Sequence, residues 1–253
     1  MSGRIGPPVR AVLFDYGHTL VDFRRTEEAL LEAYRQIRDR IEAVAYMERH
    51  ELLDLVERVT GNVDRTIEAS YAERRLEELD QATLLRESFA AIGFDLPDDV
   101  LAHVVALDHS AYSNSITAEP ETLATLAALK EAGYRMGLVS NVTLLPALMR
   151  EDLSTLGFDA YLDATVFSSE VGVRKPDARI FRAALERLDA DPKETVFVGD
   201  RRIDDVGGAQ AVGMRGIQTL QYRQEDGPVD ITPDAVVETM SDLPAVLRSW
   251  AGP

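Results

Sequence analysis

The second half of the chain alternates between short apolar runs and longer segments with helical periodicity, and this alternation constrains the fold more than any other feature. The apolar runs predict strands at 134–139, 164–167, 195–198 and 217–220. The periodic segments predict helices at 119–132, 144–156, 177–188, 203–212 and 243–250. Because strands that alternate with helices pair in parallel through crossover connections, the pattern predicts an α/β fold with a parallel sheet.

One more strand precedes this region, and a helical block separates the two. Residues 9–14 form an apolar run that ends at Asp15, which predicts a short buried strand followed by a turn. From 26 to 112 the sequence has helical periodicity with charges on the opposite face and no strand-like run. We therefore predict a Rossmann-like core domain of residues 1–21 and 115–253, interrupted by an all-helical cap domain of residues 22–114.

The composition excludes several classes of function. The chain has 253 residues, a net charge of −17 at pH 7 and no cysteine. A cysteine nucleophile, a thiolate metal site and disulfides are therefore excluded, and nucleic acids and anionic membrane surfaces are poor partners. The sequence contains no run of 18 apolar residues, and residues 1–8 lack the apolar stretch of a signal peptide, so we expect a cytoplasmic protein.

The chemistry of such a fold is expected where its strands end. In open α/β sheets, ligands bind at the carboxyl ends of the strands, at the point where the strand order reverses. The polar residues that follow the predicted strands are Asp15, Ser140 with Asn141, Lys175 in the loop after the third strand, and Gly199 with Asp200. Lysine is rare in this chain, at positions 130, 175 and 193, so a lysine in such a loop is a candidate functional residue.

Four short motifs at these positions resemble those of the haloacid dehalogenase-like superfamily. They are Phe14-Asp15 with Thr19-Leu20, Leu138-Val139-Ser140-Asn141, Lys175-Pro176-Asp177, and Val198-Gly199-Asp200 with Asp204-Asp205 and Gly208-Ala209. The resemblance extends from residue 9 to about 220, and the helical block is similar to the cap that this superfamily inserts after its first motif. It implies a hydrolase that transfers phosphoryl groups.

The resemblance also implies a role for each acidic residue. A phosphoryl transfer needs an in-line nucleophile and cations that neutralise the phosphoryl oxygens. Asp15 would be the nucleophile that forms an aspartyl-phosphate. The cofactor would be Mg²⁺, held by Asp15, Asp200 and the Gly17 carbonyl oxygen, with Asp205 as the outer acid. The sequence leaves open whether Asp204 or Asp205 has that last role.

The remaining motif residues would bind the phosphate. The resemblance assigns Ser140, the backbone amide of Asn141 and Lys175 to the phosphate oxygens, and Thr19 to orienting the Asp15 loop. Lys175 would also neutralise Asp15, which otherwise repels an anionic substrate in a protein of this charge. The expected partner is therefore a small phosphorylated metabolite.

The first motif departs from the pattern of the phosphatases in this superfamily. Most of them have a second Asp two residues after the nucleophile, which protonates the leaving oxygen and later activates water. Here that position is Gly17. General acid–base catalysis contributes about 10²–10⁴-fold, so alkyl esters would suffer most and acyl or aryl phosphates least. His18 is a candidate substitute acid, and Tyr16 is predicted to be a packing residue.

Three alternatives are weighed against a phosphatase. True haloacid dehalogenases have Tyr two residues after the nucleophile and serines in place of the metal-binding Gly-Asp, whereas this chain has Gly199-Asp200. Phosphonate-cleaving relatives use a cap lysine, and residues 21–129 contain none. A catalytically degenerate binding or regulatory protein would explain Gly17, but a decayed site should also have lost charged residues that are costly to bury unpaired.

The sequence does not identify the substrate. It also leaves open whether the protein is a monomer or a homo-oligomer. The cap is expected to set specificity by closing over the site. Its candidate residues are Arg24, Arg25, His103 and His109. Charged residues on helices are more often a solvated face than a binding surface.

Overall fold

The strand Ala11–Phe14, β1, lies inside a six-stranded parallel sheet. In the computed structural model, which describes residues 7–23, 26–38, 49–225 and 229–250, all four of its residues are buried. An apolar side chain at every position is what a strand covered on both faces requires. β1 pairs in parallel with β2 (Arg135–Ser140) on one side and with β4 (Thr195–Gly199) on the other.

Three further strands complete the sheet. They are β3 (Ala164–Phe167), β5 (Arg215–Thr219) and β6 (Ala235–Val237), and the order across the sheet is β3-β2-β1-β4-β5-β6. This order reverses between β1 and β4, so the switch point lies at the carboxyl ends of those two strands. The predicted α/β, Rossmann-like architecture is confirmed.

Ten α-helices occur in the described residues. They are α1 (Glu27–Arg38), α2 (Arg49–Ala72), α3 (Gln81–Ala91), α4 (Asp98–Ser113), α5 (Pro120–Glu131), α6 (Pro146–Thr155), α7 (Ser168–Val171), α8 (Ala178–Arg187), α9 (Gly208–Ala211) and α10 (Leu243–Trp250). Caps define several of these boundaries. The Asp177 carboxylate, for example, accepts a hydrogen bond from the Arg179 backbone amide and begins α8 one residue after the predicted start.

The chain divides into two compact units. One consists of the described residues within Met1–Asp22, Thr117–Val142 and Arg150–Pro253, and the other of those within Phe23–Ile116 and Thr143–Met149. In the first unit, α8 packs on the sheet through Phe181, whose ring meets that of Phe197 edge-on at 5.2 Å. The second unit has its own apolar core, to which α1–α4 contribute, with Tyr34 stacked on Phe89.

The structure corrects several predicted boundaries. β1 begins at residue 11 rather than 9, and β5 spans 215–219 rather than 217–220. The single helix predicted at 203–212 is instead a π-helical turn, Arg202–Gly207, followed by the short helix α9. β6 lies between residues 220 and 243, where the sequence predicts neither a strand nor a helix. None of the helices in the described residues is long and apolar enough to span a membrane.

Candidate active site

Asp15 lies at the carboxyl end of β1, where the strand pairing continues for one more residue. Its backbone amide donates a hydrogen bond of 2.9 Å to the carbonyl oxygen of Val198 in β4, and the residue is only 7% exposed. The Thr19 hydroxyl donates to Asp15 Oδ2 at 3.3 Å. The sheet therefore fixes the main chain of Asp15, and Thr19 holds one of its two carboxylate oxygens.

A tight loop follows Asp15 and carries the next candidate residues. The Tyr16 carbonyl oxygen accepts hydrogen bonds from the amides of Leu20 (2.9 Å) and Val21 (3.2 Å), while Tyr16 itself is buried, as a packing residue would be. His18 has φ +57°, a left-handed conformation that costs a non-glycine residue about 1–3 kcal/mol. Its amide donates to the Val21 carbonyl oxygen at 2.7 Å, which helps to hold this conformation.

The His18 side chain has a carboxylate partner that the sequence does not reveal. His18 Nδ1 lies 3.0 Å from Asp22 Oδ1, and both side chains are about one-quarter exposed. Burial lowers the pKa of His18, and the positive charge of Arg223 lowers it further, against the opposing effect of Asp22 and Asp15. A neutral imidazole that donates from Nδ1 to Asp22 has its lone pair on Nε2.

Lys175 links two acidic side chains at the centre of the site. Its Nζ donates to Asp15 Oδ1 at 2.6 Å and to Asp205 Oδ1 at 2.7 Å, and the side chain is 3% exposed. Nζ also lies 5.2 Å from the centroid of the Phe197 ring. Burial opposes the charged form, but the attraction of Asp15 and Asp205 outweighs it and raises the pKa of Lys175 above its ordinary range.

Asn141 positions the main chain of Lys175. The Lys175 amide donates to Asn141 Oδ1 at 2.7 Å, and Asn141 Nδ2 donates to the Lys175 carbonyl oxygen at 3.2 Å. The sequence assigns the Asn141 backbone to the phosphate but does not indicate this side-chain role. Ser140, the last residue of β2, is buried at the same edge of the sheet, one strand away from Asp15.

Two more acidic residues follow β4. Asp200 comes directly after the strand, and Asp205 lies in the π-helical turn; they are 2% and 1% exposed. The Arg201 amide donates to Asp205 Oδ2 at 2.9 Å, so both oxygens of Asp205 are engaged. Asp204, by contrast, pairs with Arg201 Nη1 at 3.0 Å.

The three buried carboxylates form a group that could hold a metal ion. One oxygen each of Asp15, Asp200 and Asp205 lies within 4.8 Å of the others. Burial raises the pKa of Asp200, helped by the negative charges of Asp15 and Asp205. Burial also raises the pKa of Asp205, although Lys175 opposes this. The site thus carries more negative charge than its cations neutralise, and a hard divalent cation with a preference for oxygen ligands fits it.

Gly199 allows Asp205 to approach the end of β4. A Cβ atom built on Gly199 would lie 2.4 Å from Asp205 Cγ and Oδ2 and 2.5 Å from its Cβ. Contacts that short are not possible, and Asp205 is held by Lys175 and by the Arg201 amide, so it cannot move away freely. A glycine is therefore required immediately before Asp200.

Gly199→Ala is expected to lower the free energy of unfolding by about 1–3 kcal/mol, because the added methyl group displaces a buried, doubly bonded carboxylate. Urea unfolding would measure this change. Gly61→Ala is the control, since that position is inside α2 and the new Cβ would meet only the Arg65 guanidinium, at 3.3 Å. The control should be stabilised by about 0.5–1 kcal/mol. Equal stability of wild type and Gly199→Ala would contradict this account.

Arg223 is a site residue that the sequence does not indicate. Its Nη1 lies 3.1 Å from Asp200 Oδ2, although it belongs to the loop after β5 and to no recognised motif. Of the candidate cap residues, Arg24 and Arg25 lie outside the described residues. His109 is buried in α4 and His103, on the same helix, is half-buried.

Buried charged side chains that meet at the switch point of a parallel sheet are typical of an enzyme's functional site. The comparison with protein families agrees. The sequence model of the haloacid dehalogenase-like hydrolase family matches residues 9–213, which is more than half of the chain. The chain belongs to this family of hydrolases and is an enzyme.

Individual relatives are similar over nearly their whole length. The chain is 30% identical to the glyceraldehyde 3-phosphate phosphatase of Methanopyrus kandleri, over 96% of this chain and 99% of the relative. It is 28% identical to the pyrophosphatase PpaX of Bacillus velezensis, over 93% and 94%. Among solved structures, the 2-haloacid dehalogenase of Pseudomonas syringae pv. Tomato DC3000 superposes with a TM-score of 0.66 at 26% identity, covering 96% of this chain and 100% of that one.

Proposed function

We propose that this enzyme is a Mg²⁺-dependent phosphatase that acts on a small phosphorylated metabolite through an aspartyl-phosphate on Asp15. The observation that carries the proposal is the buried group of Asp15, Asp200 and Asp205, with Lys175 bridging two of its members. Two relatives of nearly full-length similarity are named as a glyceraldehyde 3-phosphate phosphatase and a pyrophosphatase, which supports a small phosphorylated substrate.

Asp15 is the proposed nucleophile. One of its carboxylate oxygens forms the new bond to phosphorus while the bond from phosphorus to the leaving oxygen breaks, and water then cleaves the aspartyl-phosphate to release phosphate. Lys175 and Thr19, on Oδ1 and Oδ2, orient the carboxylate for this attack. Lys175 also offsets the negative charge that would otherwise repel the incoming phosphate.

The proposed metal ligands are the carboxylates of Asp15 and Asp200 and the carbonyl oxygen of Gly17. Bound Mg²⁺ supplies positive charge that neutralises the phosphoryl oxygens. Asp205 is proposed as the outer acid: it lies in the carboxylate group and binds Lys175, whereas Asp204 pairs with Arg201. The raised pKa values of Asp200 and Asp205 support a cation here, since a nearby positive charge favours their ionised forms.

The phosphate oxygens are proposed to bind Ser140, the Asn141 amide and Lys175. The Asn141 side chain makes two hydrogen bonds to the main chain of Lys175. These bonds hold the Asn141 amide and Lys175 at a fixed distance from each other, so both could bind the same phosphate without rearrangement. Residues 22–114 are proposed as a cap domain that selects the substrate, and residues 1–21 with 115–253 as the catalytic domain.

His18 is the candidate substitute for the acid that Gly17 cannot provide, and it is the residue to test if wild type hydrolyses alkyl phosphates rapidly. Its contact with Asp22 orients the imidazole, as a carboxylate does for many catalytic histidines. The positioned partner is new information from the structure, because in the sequence His18 is only a polar residue beside Gly17. The assignment of Asp15 as the nucleophile does not depend on whether His18 has this role.

A dehalogenase is the second candidate, and the similarity to a solved 2-haloacid dehalogenase favours considering it. The buried pair Asp200 and Asp205 argues for a metal-assisted reaction instead, since a halide displacement by Asp15 needs no divalent cation. The two reactions differ in product. Phosphate release from a panel of phosphate esters, beside halide release from 2-chloropropionate, distinguishes them, and a degenerate binding protein would release neither.

Chelation of the metal should abolish phosphate release, because Asp15 and Asp200 would then repel the anionic substrate. The expected loss is at least about 10³-fold in excess chelator, with full recovery on adding Mg²⁺. Phosphate release from p-nitrophenyl phosphate measures it. Full turnover in excess chelator would disprove the metal role. The Asp200→Asn variant should need a higher Mg²⁺ concentration for half-maximal rate, whereas the surface variant Asp163→Asn should not.

A further inference from the structure

Each of the three buried carboxylates of the site has one cationic partner. Two of the carboxylates share Lys175, and the third has a partner of its own. Lys175 binds both Asp15 and Asp205, at 2.6 and 2.7 Å. Asp200 is paired with Arg223 instead, at 3.1 Å. The Asp200 side chain is 3% exposed, whereas that of Arg223 is 33% exposed. Arg223 thus reaches from the surface to neutralise a carboxylate that would be costly to bury unpaired.

The loop that carries Arg223 is anchored on both sides of it. Before it, the Gln221 side chain donates to Thr122 Oγ1 at 3.2 Å and accepts from the Met240 amide at 2.7 Å, and the Tyr222 hydroxyl accepts from the Glu119 amide at 3.2 Å. After it, the Glu225 carboxylate accepts from the amide and Nε of Arg202, both at 3.0 Å. These contacts hold Arg223 next to Asp200 as a built feature of the fold rather than a chance surface pair.

We propose that Arg223 is an internal counter-ion that competes with Mg²⁺ for Asp200 and thereby sets the metal affinity of the site. The inference rests on the metal site of the proposed function. A guanidinium on Oδ2 and a divalent cation on the same carboxylate repel each other, because both positive charges would lie within a few ångströms. Lys175 does not contact Asp200, since its two carboxylate partners are Asp15 and Asp205, so the contact with Asp200 belongs to Arg223.

The direction in which metal affinity changes when Arg223 is removed distinguishes competition from a purely orienting role. A residue that only orients a metal ligand strengthens metal binding, and its loss typically weakens affinity about 10–100-fold. A competing cation weakens metal binding, so its loss must strengthen it. An ion pair of intermediate exposure corresponds to roughly a 2- to 10-fold change in affinity.

The first test is a calorimetric titration of chelator-treated protein with Mg²⁺. Arg223→Gln should bind Mg²⁺ about 2- to 10-fold more tightly than wild type. Arg223→Lys, which retains the charge, should stay closer to wild type. Arg10→Ala is the control: it also removes one positive charge, but Arg10 lies at the amino-terminal ends of the strands, where it pairs with Glu194. This variant should leave the Kd for Mg²⁺ unchanged. Unchanged or weaker binding by Arg223→Gln would overturn the proposal.

The second test measures the ion pair directly. In chelator, urea unfolding of wild type, Arg223→Gln, Asp200→Asn and the double variant should show a coupling between the two positions. By linkage, the coupling free energy must shrink in saturating Mg²⁺ by RT ln f, where f is the factor by which Arg223→Gln tightens Mg²⁺ binding in the wild-type background divided by the same factor in the Asp200→Asn background. An absent coupling, or one that grows with Mg²⁺, would contradict competition. A wild type that binds no Mg²⁺ would instead overturn the proposed metal site itself.

Discussion

Asp15→Asn is expected to reduce kcat by about 10⁴- to 10⁶-fold, the size of effect that follows removal of a catalytic nucleophile. A neutral amide oxygen is a far weaker nucleophile than a carboxylate, and the substituted side chain would no longer neutralise Lys175 at Oδ1. The variant also removes one proposed metal ligand. The loss should therefore persist at high Mg²⁺, which distinguishes it from Asp200→Asn.

Identifying the residue that carries the phosphoryl group tests the assignment of Asp15 more directly than measuring kcat. Borohydride trapping of the phosphorylated enzyme, followed by mass spectrometry of peptides, should mark residue 15 in wild type and no residue in the variant. Asp204→Asn is the matched control: it is nearby, but its carboxylate pairs with Arg201 and lies outside the group of three. A label on any other residue, or a variant within tenfold of wild type, would be incompatible with Asp15 as nucleophile.

The buried strands are the part of the fold that could be predicted from the sequence. β1, β2 and β4 lie inside the sheet, where all but one of their residues are buried, and each contains a run of apolar or glycine residues. The bounds of β3 agree with the predicted 164–167, and α10 with 243–250. In such segments local pattern and tertiary environment indicate the same structure.

The errors fall where tertiary contacts decide the local structure. β6 has three residues at an edge of the sheet and leaves Val236 51% exposed, so neither length nor periodicity distinguishes it from a loop. The turn after β4 is π-helical, and the Asp205 carboxylate within it binds the Arg201 amide and Lys175, contacts that the helical periodicity of the sequence does not reveal.

The residues of the candidate site likewise fall into those that could be predicted from the sequence and those whose position depends on tertiary contacts. Asp15, Asp200 and Lys175 could be named because parallel strands bring their carboxyl ends to one edge of the sheet, whatever the connections between them. Asp22 and Arg223 could not, since their position depends on the course of two loops. A charged residue in a loop gives no sequence signal that separates a site partner from a solvated side chain.

Gly17→Asp is expected to supply an acid at the position where the resemblance to the superfamily's phosphatases implies one. Wild type has Gly17 instead of this acid. Its rate of forming the aspartyl-phosphate should therefore depend steeply on the pKa of the leaving group, favouring aryl over alkyl phosphates. The substitution should flatten this dependence and accelerate the alkyl ester by up to about 10²–10⁴-fold, the contribution of a positioned general acid. Single-turnover rates on p-nitrophenyl phosphate and on glycerol 3-phosphate measure both effects.

The backbone does not oppose this substitution. The glycines with positive φ in the described residues are at positions 93, 133, 157, 172 and 213, so an Asp at 17 meets no left-handed constraint. The neighbouring His18 already carries the positive φ of this loop, and the bridge between residues 17 and 21 involves only main chain. Circular dichroism and Mg²⁺ titration of the variant would verify that fold and metal site are intact.

Fast alkyl turnover by wild type would show that an acid is already present, and His18 is then the residue to test. Its contact with Asp22 gives two variants with different expectations. His18→Asn should slow only the alkyl ester, because an aryl leaving group departs without protonation. Asp22→Asn should produce a smaller loss of the same kind, since it disturbs the orientation of the imidazole and leaves it in place. Equal losses on both esters would assign His18 to the shape of the loop instead, and the acid would have to come from another residue.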